Sequence, residues 1–93
     1  MRYLSDQANA AVGVAGRVTT PDGRGLRNAA VAITDPQGVQ RTATTSSFGF
    51  YTFDNVRVGE TYVIGVSSRL YRFASRNLVV NDNLTNVDFV GLE

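Results

Sequence analysis

The sequence predicts an all-β fold, a sandwich of seven short strands, and three observations carry that expectation. Runs rich in aromatic and β-branched residues recur along the 93 residues at roughly 8–12-residue spacing, as in sandwiches. Gly, Pro, Asn and Asp punctuate the joints between the runs. Apolar residues alternate within each run, and no stretch shows the helical period, so each run has one face to bury.

The clearest stretch is Thr44 to Val66. Within it Phe50-Tyr51-Thr52-Phe53 and Thr61-Tyr62-Val63-Ile64-Gly65-Val66 each follow a turn glycine, Gly49 and Gly59. Tyr51 and Phe53 share one face of the first run. Tyr62, Ile64 and Val66 share one face of the second.

Taken in order, Met1 to Ala11 show no period and no helix cap, and are expected to form an arm or linker ahead of one domain over residues 12–93. Val12, Val14, Gly16 and Val18 alternate through the first strand. Gly16, at an inward position, implies close approach by another backbone or a bulky neighbour. Pro21-Asp22-Gly23 is a turn, and Leu26 is expected to tuck under the end of the sandwich. Ala29 to Asp35 is the second strand, with Val31 and Ile33 inward. Pro36-Gln37-Gly38 turns the chain into a Thr-rich third strand, Val39 to Thr45. Phe50 to Asp54 and Thr61 to Ser68 are the fourth and fifth, joined through Asn55–Glu60. Phe73 to Val80 is the sixth, with Leu78 and Val80 as core positions. After the Asn81-Asp82-Asn83 turn, Val87 to Leu92 is the last strand, with Val87 and Phe89 on one face. The expected core is therefore Val18, Val31, Ile33, Tyr51, Phe53, Tyr62, Ile64, Val66, Leu78 and Phe89.

Composition narrows the chemistry. The chain has neither Cys nor His, which removes disulfides, thiol nucleophiles, Ser-His triads and nearly all zinc or copper sites. All nine basic residues are Arg, scattered against eight acidic ones for a net charge of +1, with no basic stripe of the kind nucleic-acid binders carry. No apolar run approaches the roughly 20 residues of a membrane-spanning helix, so membrane insertion is not expected. Met1-Arg2-Tyr3-Leu4-Ser5-Asp6 turns polar before any hydrophobic segment forms, so no signal peptide is expected in this chain.

Gly16-x-Val18, Pro21-Asp22-Gly23-x-Gly25-Leu26, Ala30-Val31-x-Ile33, Thr42 to Thr45, Gly49-x-Tyr51-x-Phe53, Val56, Gly59 and Tyr62 together resemble the carboxypeptidase regulatory-like domain. That family sits in the prealbumin-like group with the B-type repeats of bacterial collagen adhesins. The resemblance implies a seven-stranded Greek-key sandwich, usually non-catalytic, often in secreted or cell-surface bacterial proteins, where such modules act as stalks, spacers or assembly units. Many adhesin-type relatives carry a Lys–Asn isopeptide crosslink; without a Lys this chain cannot form one. Where the family often has Thr-Asp, this chain has Thr45-Ser46.

Few constellations suggest chemistry. Asp82 and Asp88 flank Asn81, Asn83 and Asn86, an oxygen-rich segment without the glycine and distal Glu of a calcium loop, and no cofactor is expected. No motif organises the carboxylates into a catalytic pair, so the chain is not expected to be an enzyme. Asn83-Leu84-Thr85 fits a glycosylation acceptor at Asn83. Two surfaces are candidates for contact. The arm and first strand, through Tyr3, Leu4, Val12 and Val14, suit strand addition to a neighbouring copy or domain, the route to a fibre subunit. Phe48, Tyr71 and Arg72 suit a carbohydrate or other ligand, as an accessory module of a secreted protein would need.

Overall fold

The computed structural model describes residues 11–92. Seven strands form in that span: β1 (Ala11–Thr19), β2 (Ala30–Thr34), β3 (Gln40–Thr44), β4 (Phe50–Arg57), β5 (Glu60–Ser67), β6 (Arg76–Val80) and β7 (Phe89–Val90). They make two sheets, β4-β1-β7 and β3-β2-β5-β6, and the described residues contain no helix. β2 pairs with β5 rather than β4, because the chain crosses to the other sheet between β3 and β5; the connectivity is a Greek key. One end of the sandwich holds Ala11 and the tight β2–β3 and β4–β5 turns. The other holds the longer loops over 20–29, 45–49 and 68–75, together with Leu92.

The alternating faces meet between the sheets. Val14 and Val18 of β1, Tyr51, Phe53 and Val56 of β4, and Phe89 of β7 face Val31, Ile33, Tyr62, Ile64, Leu78 and Val80, all buried. Leu26, Ala29 and Val87 complete this cluster from the connections. Full burial of each Val or Ile contributes roughly 1.5–3 kcal/mol, so this layer is the main stabilising term.

Gly16 sits where the last segment, at Val87, passes close against β1. A Cβ there would lie 1.8 Å from the Val87 carbonyl oxygen, so no larger residue fits without moving backbone. Gly49 combines φ +87° with a similar squeeze against the Val18 carbonyl, and closes the β3–β4 loop.

Strand limits differ from the sequence expectation for identifiable reasons. β4 runs on through Asp54-Asn55 to Arg57 because the register slips between Val12 and Val14. Asn55, at φ +57°, absorbs the extra residue as a bulge. The turn that follows shrinks to Val58-Gly59. β6 starts at Arg76, since β5 and β6 pair only from Glu60↔Val80 to Ile64↔Arg76; Phe73 packs half-buried from the loop instead. The same limit leaves Val66 half-buried rather than in the core, because it lies beyond the end of β6. β7 contracts to two residues.

Candidate functional site

The alternating valines of β1 suggest a strand available to a partner, but β1 is the central strand of its sheet. β4 pairs along one edge from Ala11↔Arg57 to Arg17↔Phe50. The segment Asn83–Gly91 follows the other edge, with parallel pairing at Val18↔Phe89 and Thr19↔Val90. Val14 is fully buried and Val12 half-buried against the core, so neither presents an assembly surface. Apolar alternation marks burial on one face; it says nothing about which strand edge is free. Tyr3 and Leu4 lie outside the described residues.

Arginines on the marginal strands bridge the two sheets. Arg41 of β3 donates to the backbone carbonyls of Asp54 and Asn55, and its guanidinium lies 5.6 Å from the centroid of the Phe53 ring. On the opposite margin Arg76 of β6 donates to the Asp88 carbonyl at 3.0 Å and lies 5.5 Å from the Phe89 ring. Arg17 repeats the arrangement within one sheet, over Phe50 at 5.3 Å, with Nε donating to the Phe48 carbonyl at 2.9 Å. A planar guanidinium can stack on a ring and donate sideways at once, which an ammonium cannot, and this gives the all-Arg composition a structural role.

The carboxylates serve turns and strand edges. Asp35 Oδ1 accepts from the amides of Gln37 and Val39, closing the β2–β3 turn. Asp22 accepts from the Thr20 hydroxyl; that hydrogen bond, with Arg24 nearby, holds its carboxyl below the usual range. Asp82 accepts from the Asn83 amide, while Asp88 Oδ1 takes the Arg17 amide at 2.9 Å. Among the described residues no three acidic side chains converge as a metal site would require. Asn83 is exposed, and its side-chain oxygen accepts from the Gly13 amide at 2.8 Å.

The loop end carries the proposed ligand contacts. Phe48 is 68% exposed, on a loop whose backbone packs against Gly25. Tyr71 is half-buried against the core and Arg72 is exposed. The clefts at this end are lined by Leu70, Tyr71 and Leu92 beside Pro21 and Asp22, and by Leu26, Arg27 and Arg69, rather than by Phe48. A cleft of about 260 Å³ at the opposite end includes Asp35, Arg41, Arg57, Glu60 and Tyr62.

Thr45 has a role that the sequence pattern around it does not disclose. Its buried hydroxyl donates to the Leu26 carbonyl at 2.6 Å and accepts from the Ala29 amide at 2.9 Å, tying the first long loop to the end of β3. One threonine among Thr42, Thr44, Thr45, Ser46 and Ser47 carries no sequence mark of its own. Ser46 Oγ accepts from the amides of Phe48 and Phe50, so an uncharged side chain closes this turn.

Fold and surfaces define a small β-sandwich module in which Arg17, Arg41, Arg76, Asp35 and Asp88 bond its own backbone. The chain belongs to the carboxypeptidase regulatory-like domain family, whose model matches residues 13–90. Domains of this kind are typically non-catalytic. Among solved structures it is similar to the Bacillus anthracis TIE protein, with a TM-score of 0.68 at 11% identity, a likeness of fold. That match covers 89% of this chain and 17% of the other. A search of curated proteins finds no match.

Proposed function

We propose that the chain is a non-catalytic structural module of a bacterial extracellular or surface protein, set end to end with its neighbours. The observation that supports this reading is the path of the chain. It enters the sandwich at Ala11 on the hairpin end and leaves past Val90 on the loop end, a β1 length away. At about 3.3 Å per residue, nine residues of β1 put roughly 25–30 Å between entry and exit. Modules so built extend a chain instead of doubling it back. The ends also differ in charge: Arg24, Arg27, Arg69 and Arg72 lie with Asp22 at the loop end, against Asp35, Asp54, Glu60 and Asp82 with Arg41 and Arg57 toward the other. Basic end on acidic end is the complementary arrangement.

In this reading the arm over residues 1–10, through Tyr3 and Leu4, is the element that docks on a neighbouring copy or domain, against a marginal strand such as β3, since β1 is paired on both edges. Light scattering of the full chain and of one lacking residues 1–10 tests this. Association lost on truncation supports it. Equal masses overturn the arm contact.

A second reading, an accessory module binding carbohydrate or another extracellular ligand, is favoured by the exposed Leu70 beside Tyr71 and Arg72 at the loop end. A soluble oligosaccharide panel followed by tyrosine fluorescence tests it, with Tyr71→Ala as the variant that abolishes any response.

A further inference from the structure

We infer that the seam between β1 and the final segment is a mechanical clamp, and that the module bears tension applied through its two ends. The inference rests on the end-to-end reading for its purpose, but the clamp is a property of the fold alone.

β1 and β7 run parallel. Alternate residues of β1 are tied to the last segment along almost its whole length. The Leu84 amide donates to the Gly13 carbonyl at 3.0 Å, and the Ala15 amide to the Leu84 carbonyl at 2.7 Å. The Val87 amide donates to the Ala15 carbonyl at 3.1 Å, and the Gly91 amide to the Thr19 carbonyl at 2.9 Å. Side chains extend this set. The Gly13 amide donates to Asn83 Oδ1 at 2.8 Å, just ahead of Leu84, and the Arg17 amide to Asp88 Oδ1 at 2.9 Å, between Val87 and Phe89. This accounts for two residues of the oxygen-rich segment Asn81–Asp88.

Tension on the two ends draws β1 toward the hairpin end and the last segment toward the loop end. Strands that lie parallel and are pulled in opposite senses slide against each other, so the hydrogen bonds of the seam are loaded together. Sliding therefore requires several of these bonds to break at once. On its other edge β1 is held by β4 over Ala11–Arg17, which prevents it from tilting out of register. The same bonds pulled from one end would open in sequence. Forced unfolding is governed by the unfolding barrier, so the geometry of loading sets the resistance.

Single-molecule force spectroscopy tests the clamp on the full chain. One set of handles joins the two termini. A second joins the C-terminus to Arg27→Cys, an exposed position on the loop end and a unique thiol in a chain without cysteine. The second geometry peels the last segment from Gly91 backward. The expected result is a several-fold higher unfolding force between the termini than in the peeling geometry. Asn83→Ala and Asp88→Ala should each lower the end-to-end force and leave the peeling force nearly unchanged. Asp88→Asn, which keeps the acceptor oxygen, should restore it. Urea titration of the same variants separates a lost fold from a lost clamp. Equal forces in the two geometries, or alanine variants that lower both alike, overturn the inference; neither touches the end-to-end reading, which the light-scattering masses decide.

Discussion

The Tyr51 hydroxyl donates to the Val87 carbonyl oxygen at 2.6 Å, inside the notch that Gly16 leaves by having no side chain. One glycine thereby lets the last segment pass close enough to β1 for an aromatic of β4 to fasten it. Phe53 supports the ring edge-on, with centroids 5.9 Å apart.

Tyr51→Phe is expected to lower stability by about 1–2 kcal/mol, because it removes one buried hydrogen bond while keeping the ring. Gly16→Ala is expected to cost more, roughly 3 kcal/mol or loss of folding, since the atom it meets is backbone and cannot rotate away. Urea denaturation of both variants measures the order. A Gly16→Ala protein as stable as the parent would contradict the close approach.

Stability should fall in alkali, and Tyr51 should be a principal cause. Burial, and then the negative charge of Asp88, raise its phenol well above the ordinary value near 10. Tyr62 is raised too, by burial and then by Glu60. The unfolded chain therefore releases these protons first. Above about pH 10 the folded state holds more protons than the unfolded one, so stability complete below that pH declines as pH rises. No lysine titrates in the same window. Urea midpoints should drop between about pH 8 and pH 11, and by less in Tyr51→Phe, which has no phenol to ionise.

Thr45→Val should destabilise by about 2 kcal/mol or more, because it orphans the Ala29 amide and the Leu26 carbonyl while keeping the side chain's volume. Thr45→Ser should recover much of the loss. If valine proves neutral by thermal denaturation, the hydroxyl is not what holds the loop.

The marginal arginines predict a residue-specific effect. Arg41→Lys and Arg76→Lys keep the charge but lose the planar stack and the sideways donors, and each should cost about 1 kcal/mol. Added salt should leave most of that difference in place, because stacking and backbone hydrogen bonds at short range are weakly screened. A charge-only role would make both substitutions silent.

The sandwich was legible because its information is local. Alternation at Tyr51 and Phe53, or at Tyr62 and Ile64, needs only the two-residue period of a strand and a face to bury, and the turn residues mark where each run stops. Gly16 was legible for a related reason: an inward residue without a side chain implies something passing close by. What passes, Val87 and the Tyr51 hydroxyl, comes from 71 and 35 positions away, and no period encodes it. Asn55 misled because a polar pair reads as the end of a strand, whereas opposite Gly13 it forms a bulge within one.

Side-chain chemistry and the two-residue period already require two layers of strand around an alternating apolar core, since they settle which faces leave water. Which strand lies between which is fixed by the tertiary structure alone. Backbone hydrogen bonds are alike for every residue type, so the central place of β1, the parallel run of the last segment beside it and the arginines over the margins follow from the closed packing of the whole chain.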